Sequence, residues 1–471
     1  MSFIRKLFST KPLKFYAQEE HNLRRCLTAM DLTMLGVGAI IGAGIFVLTG
    51  IAAATQAGPA IIFSYLLAGL ACGFSALAYA ELASSVGGCG SAYGYAYASL
   101  GEIIAWIIGW DLLLEYGMDG ATVAIGWSGY VQDALRAIGV SLPQPLLTDP
   151  FHGGIMNLPA VMIIFLLAWV LCLGAKESAR FNKLIVFVKL SVIALFIGIG
   201  LFNFEPANWK PFLPFGIKGI VNGAGLIFFA YIGFDAVSTA AEESIRPQRD
   251  IPIGIIASLL ICTIIYVVFS ALLTGMMYYP ELNVPSPVAS ALIHLGYRFA
   301  AEIVAIGAVA GLTTVILVML FGASRVFLAM SRDGLLPKAF MKLHERSQTP
   351  RRLIWVLASI MAINAGLLPI HQIADLVNIG TLAAFIVVGA GVIVLRYTKP
   401  NMPRTFRTPW CPTVPLLGIG LCLYLMLSLP AITWISFGIW TFIGFIIYFA
   451  YSRRNSVLGK ELMAVTGSNS F

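Results

Sequence analysis

Two glycine-containing stretches within apolar segments hold the backbone groups most capable of chemistry in this 471-residue chain. The first, residues 36–46, reads GVGAIIGAGIF, and each of its four glycines weakens a helix by about 1 kcal/mol relative to alanine. Close packing against neighbouring helices is one explanation. The other is a broken helix, in which the free N–H groups of Gly42, Ala43 and Gly44 and the positive end of the following half-helix attract an anionic group.

The second stretch, residues 228–235, reads FFAYIGFD and places a glycine and an acid in the middle of an apolar segment. Unwinding near Ile232 would free carbonyl oxygens, which attract a cation. An anion-binding break and a cation-binding break at matching positions suit a small zwitterion, of which an α-amino acid is the obvious example. Non-helical backbone at membrane depth is tolerated only where it lines a cavity or is buried in protein. The two stretches together therefore predict a transporter.

The elements that must carry these stretches are membrane-spanning helices. Hydrophobic residues make up 59% and charged residues 11% of the chain, whereas roughly a quarter of a soluble protein is charged. Apolar blocks of about 18 residues or more can cross a hydrocarbon core of about 30 Å. This composition excludes a soluble globular enzyme and a disordered scaffold, and predicts an all-α integral membrane protein. We place twelve transmembrane helices at residues 30–53, 60–85, 102–135, 157–174, 181–202, 219–242, 252–278, 300–331, 353–368, 372–396, 412–429 and 431–452.

Basic residues set the predicted orientation of these helices. Of the 30 Lys and Arg, 24 fall in the termini and loops of one side and four in the loops of the other. By the positive-inside rule both termini, residues 1–29 and 453–471, are cytoplasmic, and the long basic loop between helices 8 and 9 is expected to lie against anionic headgroups of membrane lipids. We interpret the net charge of +8 as the orientation signal of a multi-pass plasma-membrane protein, with no nucleic-acid partner.

Two blocks of nearly equal length indicate an internal repeat. Helices 1–5 occupy residues 30–202 and helices 6–10 residues 219–396, and each block begins with an interrupted helix. Five crossings per block reverse the orientation of the second block, which is the geometry of an inverted-topology repeat. The last two helices, within residues 412–452, form an additional C-terminal pair. The predicted fold is a 5+5 repeat with discontinuous helices 1 and 6.

Three motifs carry a resemblance to a known family. The Gly42-Ala43-Gly44 break resembles the substrate-carboxylate motif of the amino acid–polyamine–organocation (APC) superfamily. Residues 228–250 (FFAYIGFDAVSTAAEESIRPQRD) and 331–337 (SRDGLLP) are similar to its cationic amino acid transporter family, in the bacterial twelve-helix branch. The resemblance implies that the substrate carboxylate binds the first break and that its amino group binds carbonyl oxygens around both. The residues implied are Ile40, Ile41, Gly42, Ala43, Gly44, Phe229, Ala230 and Ile232.

One position departs from the family pattern. Position 43 often bears a hydroxyl in these relatives, whereas here it is Ala43. Backbone donors alone would then bind the carboxylate.

Lys189 is an ionisable residue inside predicted helix 5 and is therefore a functional candidate. It lies six residues past Lys183, about 9 Å deeper in the membrane. Snorkelling to the inner interface is one interpretation; the other is an internal cation that replaces a coupling sodium ion. The resemblance favours the second, because a lysine in this part of helix 5 is similar to the one at a sodium position in proton-linked members. We therefore predict that protons are the coupling ion.

Helix 3 carries carboxylates at Asp111, Glu115 and Asp119, which share one helix face. This stripe either faces the cavity, where it contacts a substrate ammonium or relays protons, or it caps polar neighbours within the bundle. Glu115 is the member that we assign to the binding site. Asp235, directly after the second break, is predicted to hold the unwound segment in a structural or gating role.

Helix 8 supplies the predicted wall of the side-chain subsite at Met319, although an ordinary packing methionine fits the sequence nearly as well. An apolar wall leaves room for small or neutral side chains and little for a guanidinium. At the inner end of helix 6, Glu242 and Glu243 are expected to form gate or surface ion pairs with Arg246 and Arg249.

The predicted function is proton-coupled symport of L-amino acids by alternating access, with small or neutral amino acids preferred. A cationic amino acid transporter, an amino acid exchanger and, from another class, a channel are the alternatives. The chain contains no P-loop and no histidine pair at metal-ligand spacing, so we expect no enzymatic activity, no catalytic residue, no metal and no other cofactor. The expected partners are the amino acid, protons and lipids, and a small membrane-protein partner of unknown identity remains open.

Overall fold

The computed structural model describes residues 7–12 and 25–461, apart from residues 89, 138, 140–142, 285, 369, 428 and 430 and the side chains of 133, 134, 136, 137, 152 and 370–375. The predicted cytoplasmic segments, residues 1–29 and 453–471, therefore lie partly outside the described residues. Where the structure describes it, the chain consists of helices joined by turns, with one isolated parallel bridge between Leu27 and Ser244.

The helices are bounded as follows. The α-helices are α1 (Ala29–Ile40), α2 (Thr49–Ala52), α3 (Ile61–Ser85), α4 (Ser91–Ser99), α5 (Glu102–Ala137), α6 (Leu158–Leu173), α7 (Ala175–Phe202), α8 (Gly216–Ile227), α9 (Pro247–Met276), α10 (Pro287–His294), α11 (Arg298–Arg332), α12 (Arg351–Leu367), α13 (Ile370–Thr398), α14 (Thr413–Leu427), α15 (Ala431–Ile447) and α16 (Arg453–Asn455). The 3₁₀ segments are Gly58–Ala60, Gln144–Leu146, Pro150–His152, Pro206–Trp209, Phe228–Tyr231, Asp235–Glu243, Tyr279–Leu282 and Lys338–Met341. The π-helical turns are Gly44–Leu48, Ala53–Ala57 and Tyr448–Ser452.

Length and hydropathy confirm an all-helical membrane protein. In the described chain, seven helical runs of 23–42 residues have mean hydropathies of 1.7–2.7 and are long enough to cross a bilayer. Three shorter apolar helices are α1, α6 and α14. Helix α1 is the first half of the interrupted first helix. It can therefore be short, because a half-helix need not cross the membrane alone.

The junction between α6 and α7 differs from the prediction. Helix α7 begins at Ala175, six residues before the predicted start at 181, because Gly174 alone joins the two helices. Its φ of 145° is a conformation that residues with a side chain rarely adopt. Lys176 and Arg180 therefore lie in the first turns of a helix and not in a loop.

The helices pack into two groups around the interrupted segments. Helix α9 packs against α3 and α1, while α11 and α13 both pack against α5. Helix α1 also contacts α7 and α11, and the 3₁₀ segment Asp235–Glu243 contacts α9, α11 and α1. The interrupted segments thus lie between the two groups of helices.

Candidate functional site

The first interruption lies between α1 and the π-helical turn at Gly44–Leu48. Helix α1 begins with a capping box, in which the Thr28 and Asp31 side chains bond to each other's backbone N–H, and it ends at Ile40. Ile41 is extended, with φ −78° and ψ 99°, and helical structure resumes at Gly44. The interruption therefore falls where the glycines predict it, with carbonyl groups ending one half and N–H groups starting the next.

The second interruption follows the 3₁₀ segment that extends α8. Ile232 is extended, with φ −60° and ψ 138°, and Gly233 has a φ of 113°. Only glycine adopts such a φ without strain, which explains the residue type at this position. The chain then continues as the 3₁₀ segment Asp235–Glu243.

The two interruptions contact each other. A Cβ placed on Gly44 would lie 2.5 Å from the Ala230 Cα, and one placed on Gly233 would lie 2.8 Å from the Ala39 Cβ. Ala43 and Phe229 are partly exposed although they belong to the middle of the bundle. The exposure indicates space beside the two backbone breaks.

Tyr266 of α9 joins the two breaks and was not identified from the sequence. Its Oη lies 2.7 Å from the Ile40 carbonyl oxygen and 2.8 Å from the Ala230 carbonyl oxygen. The sequence feature that points to Tyr266 is a tyrosine inside an otherwise apolar stretch, because a buried hydroxyl normally finds a hydrogen-bond partner.

Lys189 of α7 is fully buried and bonds to the end of the first half-helix. Its Nζ donates to the carbonyl oxygens of Gly38, at 3.0 Å, and Ile41, at 2.9 Å, and to Thr314 Oγ1 at 2.8 Å. An ammonium has three hydrogens, so these three acceptors satisfy it completely. The snorkelling interpretation is therefore wrong, because the side chain points into the bundle.

The carboxylates of α5 are buried near the second break. The Tyr116 hydroxyl donates to Asp235 Oδ2 at 2.5 Å, which ties the unwound segment to α5. Glu115 faces Asp235 and Thr381 of α13, and neither of its carboxyl oxygens forms a hydrogen bond within the described residues. Asp111 likewise has both oxygens without such a partner there, and it lies against α13, since a Cβ on Gly380 would be 2.8 Å from its Oδ1.

The neighbouring Asp119 is also buried. The described residues thus place the stripe against α13 and the second break.

Met319 of α11 lies next to the second break. It is fully buried, and its Cε would be 3.1 Å from a Cβ placed on Gly233. Its Cβ would be 3.6 Å from a Cβ on Gly120 of α5. Met319 thus lies between the broken segment and α5.

Ion pairs connect the end of the second interrupted helix to α11. Arg325 Nη2 lies 2.7 Å from Glu243 Oε1, and Arg332 Nη1 lies 2.7 Å from Glu242 Oε1. The expected pairing of these acids with Arg246 and Arg249 is wrong, because α11 supplies their partners. The two arginines of α11 are seven residues apart and therefore lie on one face of that helix.

Arg325 is recognisable from the sequence, because it is a charged residue within an apolar span.

The end of the second interrupted helix is also joined to the start of α1. The backbone N–H groups of Cys26 and Leu27 donate to the Glu243 carbonyl oxygen at 2.8 and 2.9 Å. Glu243 therefore connects the start of α1 by its backbone and α11 by its side chain.

A helical membrane bundle with two broken helices that meet at its centre is the architecture of a secondary transporter. Residues 27–451 match the amino acid permease family, and the chain belongs to that family and to the APC superfamily.

Similar proteins are named as methylthioribose, branched-chain amino acid or cationic amino acid transporters. A methylthioribose transporter of Bacillus subtilis is 48% identical over 458 residues, which cover 96% of this chain and 99% of the relative. The branched-chain amino acid permease BcaP of the same organism is 48% identical over 448 residues, 94% and 96% of the two chains. The vacuolar cationic amino acid transporter 4 of Arabidopsis thaliana is 38% identical over 389 residues, 81% and 65% of the two chains. The resemblance inferred from the motifs is confirmed.

Proposed function

We propose that the protein is a proton-coupled symporter of L-amino acids that works by alternating access across the plasma membrane. The observation that carries this proposal is the contact between two helix breaks that offer opposite polarity. The first break presents N–H groups at Gly42, Ala43 and Gly44, where its second half-helix begins. Carbonyl groups end the half-helix that precedes each of the two breaks. A zwitterion has one charge for each kind of group.

The carboxylate in this proposal binds the backbone N–H groups before the π-helical turn at Gly44–Leu48. The positive end of that half-helix adds to the attraction. The amino group binds carbonyl oxygens at Ile40, Phe229, Ala230 and Ile232. The contact of Gly44 with Ala230 supports a single site, because it brings both sets of backbone groups together.

The membrane arrangement in this proposal is the twelve-helix, 5+5 inverted repeat. Residues 30–202 and 219–396 form the two halves, residues 412–452 the additional pair, and both termini are cytoplasmic. The similar position of the interruption in the first helix of each half supports it. The buried ion pairs of Glu242 and Glu243 would then close the cytoplasmic end.

Lys189 is the proposed proton-coupling group. Its three hydrogen bonds to Gly38, Ile41 and Thr314 require three N–H donors. A neutral amine has only two hydrogens, so loss of the proton leaves one acceptor without its donor. Protonation of Lys189 would in this way stabilise the end of α1 against α7 and α11.

The side-chain preference in this proposal is for small or neutral amino acids. Met319 forms an apolar wall beside the second break, and Glu115 of α5, which faces Asp235, would favour a cationic side chain. The relative named branched-chain permease supports neutral substrates, whereas those named cationic amino acid transporters support the alternative. Exchange without net proton movement and conduction as a channel are further alternatives.

A thermal-shift screen of the purified protein tests this assignment. Neutral amino acids are expected to raise the unfolding temperature, and uptake into proteoliposomes is expected to increase with an inward proton gradient. Methylthioribose belongs in the same screen because of the relative with that name. Stabilisation by methylthioribose alone would contradict the proposal. Counterflow distinguishes a carrier from a channel, because unlabelled external substrate accelerates exchange only in a carrier.

Shortening Met319 is expected to shift the preference toward larger side chains. Met319→Ala removes three heavy atoms beside the second break. Larger neutral amino acids should then gain affinity relative to alanine by about tenfold, the effect of roughly one or two methylenes of newly buried surface. Competition against labelled alanine in wild type and variant measures the change. The same order of affinities in both proteins would show that Met319 does not line the subsite.

Removing Arg325 is expected to destabilise the closed cytoplasmic end. Arg325→Ala leaves the Glu243 carboxylate buried without its cation, which costs about 3–5 kcal/mol. The unfolding temperature in detergent should fall sharply. The double variant Glu243→Leu with Arg325→Met removes both charges and should recover most of the loss. Equal losses in the single and double variants would show that the ion pair is not the cause.

A further inference from the structure

The hydroxyl group of Tyr266 is shared between the two helix breaks. The side chain is fully buried, and its ring packs against those of Tyr65 and Tyr231, with centroids 5.1 and 5.3 Å away. The Oη atom contacts the carbonyl oxygen that ends α1 at Ile40 and the carbonyl oxygen of Ala230. The packing of the ring therefore fixes the hydroxyl between the two broken helices.

One phenolic hydrogen cannot satisfy both carbonyl groups at once. A tyrosine hydroxyl has a single O–H donor, so at any moment the oxygen of either Ile40 or Ala230 lacks a donor from Tyr266. A buried carbonyl without a donor is costly. An ammonium group with three hydrogens would supply what is missing.

Neighbouring carbonyl groups of the first break face opposite partners. Ile40 directs its oxygen to Tyr266 of α9, whereas the oxygen of the next residue, Ile41, accepts from Lys189 of α7. The two carbonyl groups belong to consecutive planar peptide groups that share the Ile41 Cα atom. Movement of one peptide plane displaces this shared atom and therefore affects the hydrogen bond of the other carbonyl.

We infer that Tyr266 is a positioning residue that links the amino-group site to Lys189 through the backbone of Ile40 and Ile41. This inference rests on the proposed function. A substrate ammonium takes one of the two carbonyl groups, and the phenolic hydrogen is then committed to the other. The Ile40 oxygen is then held on one side of the Ile41 Cα and the Ile41 oxygen, by Lys189, on the other, so the occupied site and the protonated lysine stabilise the same backbone geometry.

Other titratable groups face this pair. Cys262 of α9 faces both Lys189 and Tyr266, and Tyr65, Tyr231 and Cys72 also face Tyr266. All of them are thiols or phenols, which carry no charge in their protonated form. The charged partner in the linkage is therefore Lys189.

The variant Tyr266→Phe tests the inference, because it keeps the ring packing and removes the hydroxyl. Two rates are compared in proteoliposomes: exchange with saturating neutral amino acid on both sides, and accumulation driven by an inward proton gradient. Gradient-driven accumulation should fall about tenfold more than exchange does. The affinity of the purified variant for the amino acid should also lose most of its dependence on pH.

Tyr231→Phe is the matched control. It removes another buried hydroxyl of the same cluster, one that donates to the Tyr65 carbonyl oxygen at 2.9 Å and not to a break. Its ratio of accumulation to exchange should equal that of wild type. The inference is overturned if Tyr266→Phe lowers both rates in parallel or keeps the wild-type ratio. Wild-type protein that neither exchanges amino acids nor responds to the gradient would instead contradict the proposed function.

Discussion

Replacing Lys189 with alanine is expected to abolish the pH dependence of amino acid uptake while the protein still folds. Two of the three N–H donors of Lys189 bind carbonyl oxygens at the end of α1 and the third binds Thr314 of α11, and no ammonium remains to stabilise these contacts in the variant. With the membrane potential clamped at zero, a gradient of one pH unit and one proton per substrate support up to about tenfold accumulation. The variant should equilibrate its substrate without accumulation.

Lys183→Ala provides the matched control on the same helix. The Lys183 side chain is 45% exposed, and its Nζ lies 2.6 Å from Asp31 Oδ1 at the start of α1. An ion pair at the surface contributes little, so this variant should retain the wild-type pH profile. A normal pH profile in Lys189→Ala would show that Lys189 is not the coupling group.

A methyl group on Gly44 is expected to disrupt binding at the two breaks. The new Cβ would lie 2.5 Å from the Ala230 Cα, and backbone cannot move aside as the end of a side chain can. Overpacking of this kind costs about 2 kcal/mol, which corresponds to roughly 30-fold weaker binding. Titration of the purified Gly44→Ala variant with the best amino acid, followed by thermal shift, measures the loss.

Gly117→Ala is the control for helix propensity. A Cβ at Gly117 of α5 meets no atom within 4 Å, and alanine favours a helix over glycine. This variant should bind as wild type and be at least as stable. Unchanged affinity in Gly44→Ala would show that the contact of Gly44 with Ala230 does not shape the site.

Local features of the chain predicted most of the helices and both interruptions. Long apolar runs mark the helices, and glycine residues mark the places where backbone must leave helical geometry, as at Gly233 with its φ of 113°. The buried position of Lys189 follows the same logic, since a lysine deep in an apolar helix requires internal partners. Hydropathy predicts too late a start for α7, because the first turn of this helix is polar and hydropathy ends a span where charges begin.

Contacts between distant residues could not be predicted in this way. Glu243 and Arg325 are 82 residues apart, and the Tyr266 hydroxyl reaches a carbonyl 226 residues away. Helical periodicity gives the face on which a side chain lies, not the helix that covers that face. For this reason the sequence predicts arginines close in the chain as partners of the acids of the sixth helix, although α11 supplies these partners.

Recognition of both ends of a zwitterion is tested most directly by competition with derivatives that lack one end. The best neutral amino acid, its carboxamide, its N-acetyl derivative and methylthioribose would each compete against the labelled amino acid in counterflow. Each missing charged hydrogen-bonding group should weaken competition by about tenfold to 100-fold, and methylthioribose should not compete. A carboxamide or methylthioribose that competes as well as the amino acid would contradict the account.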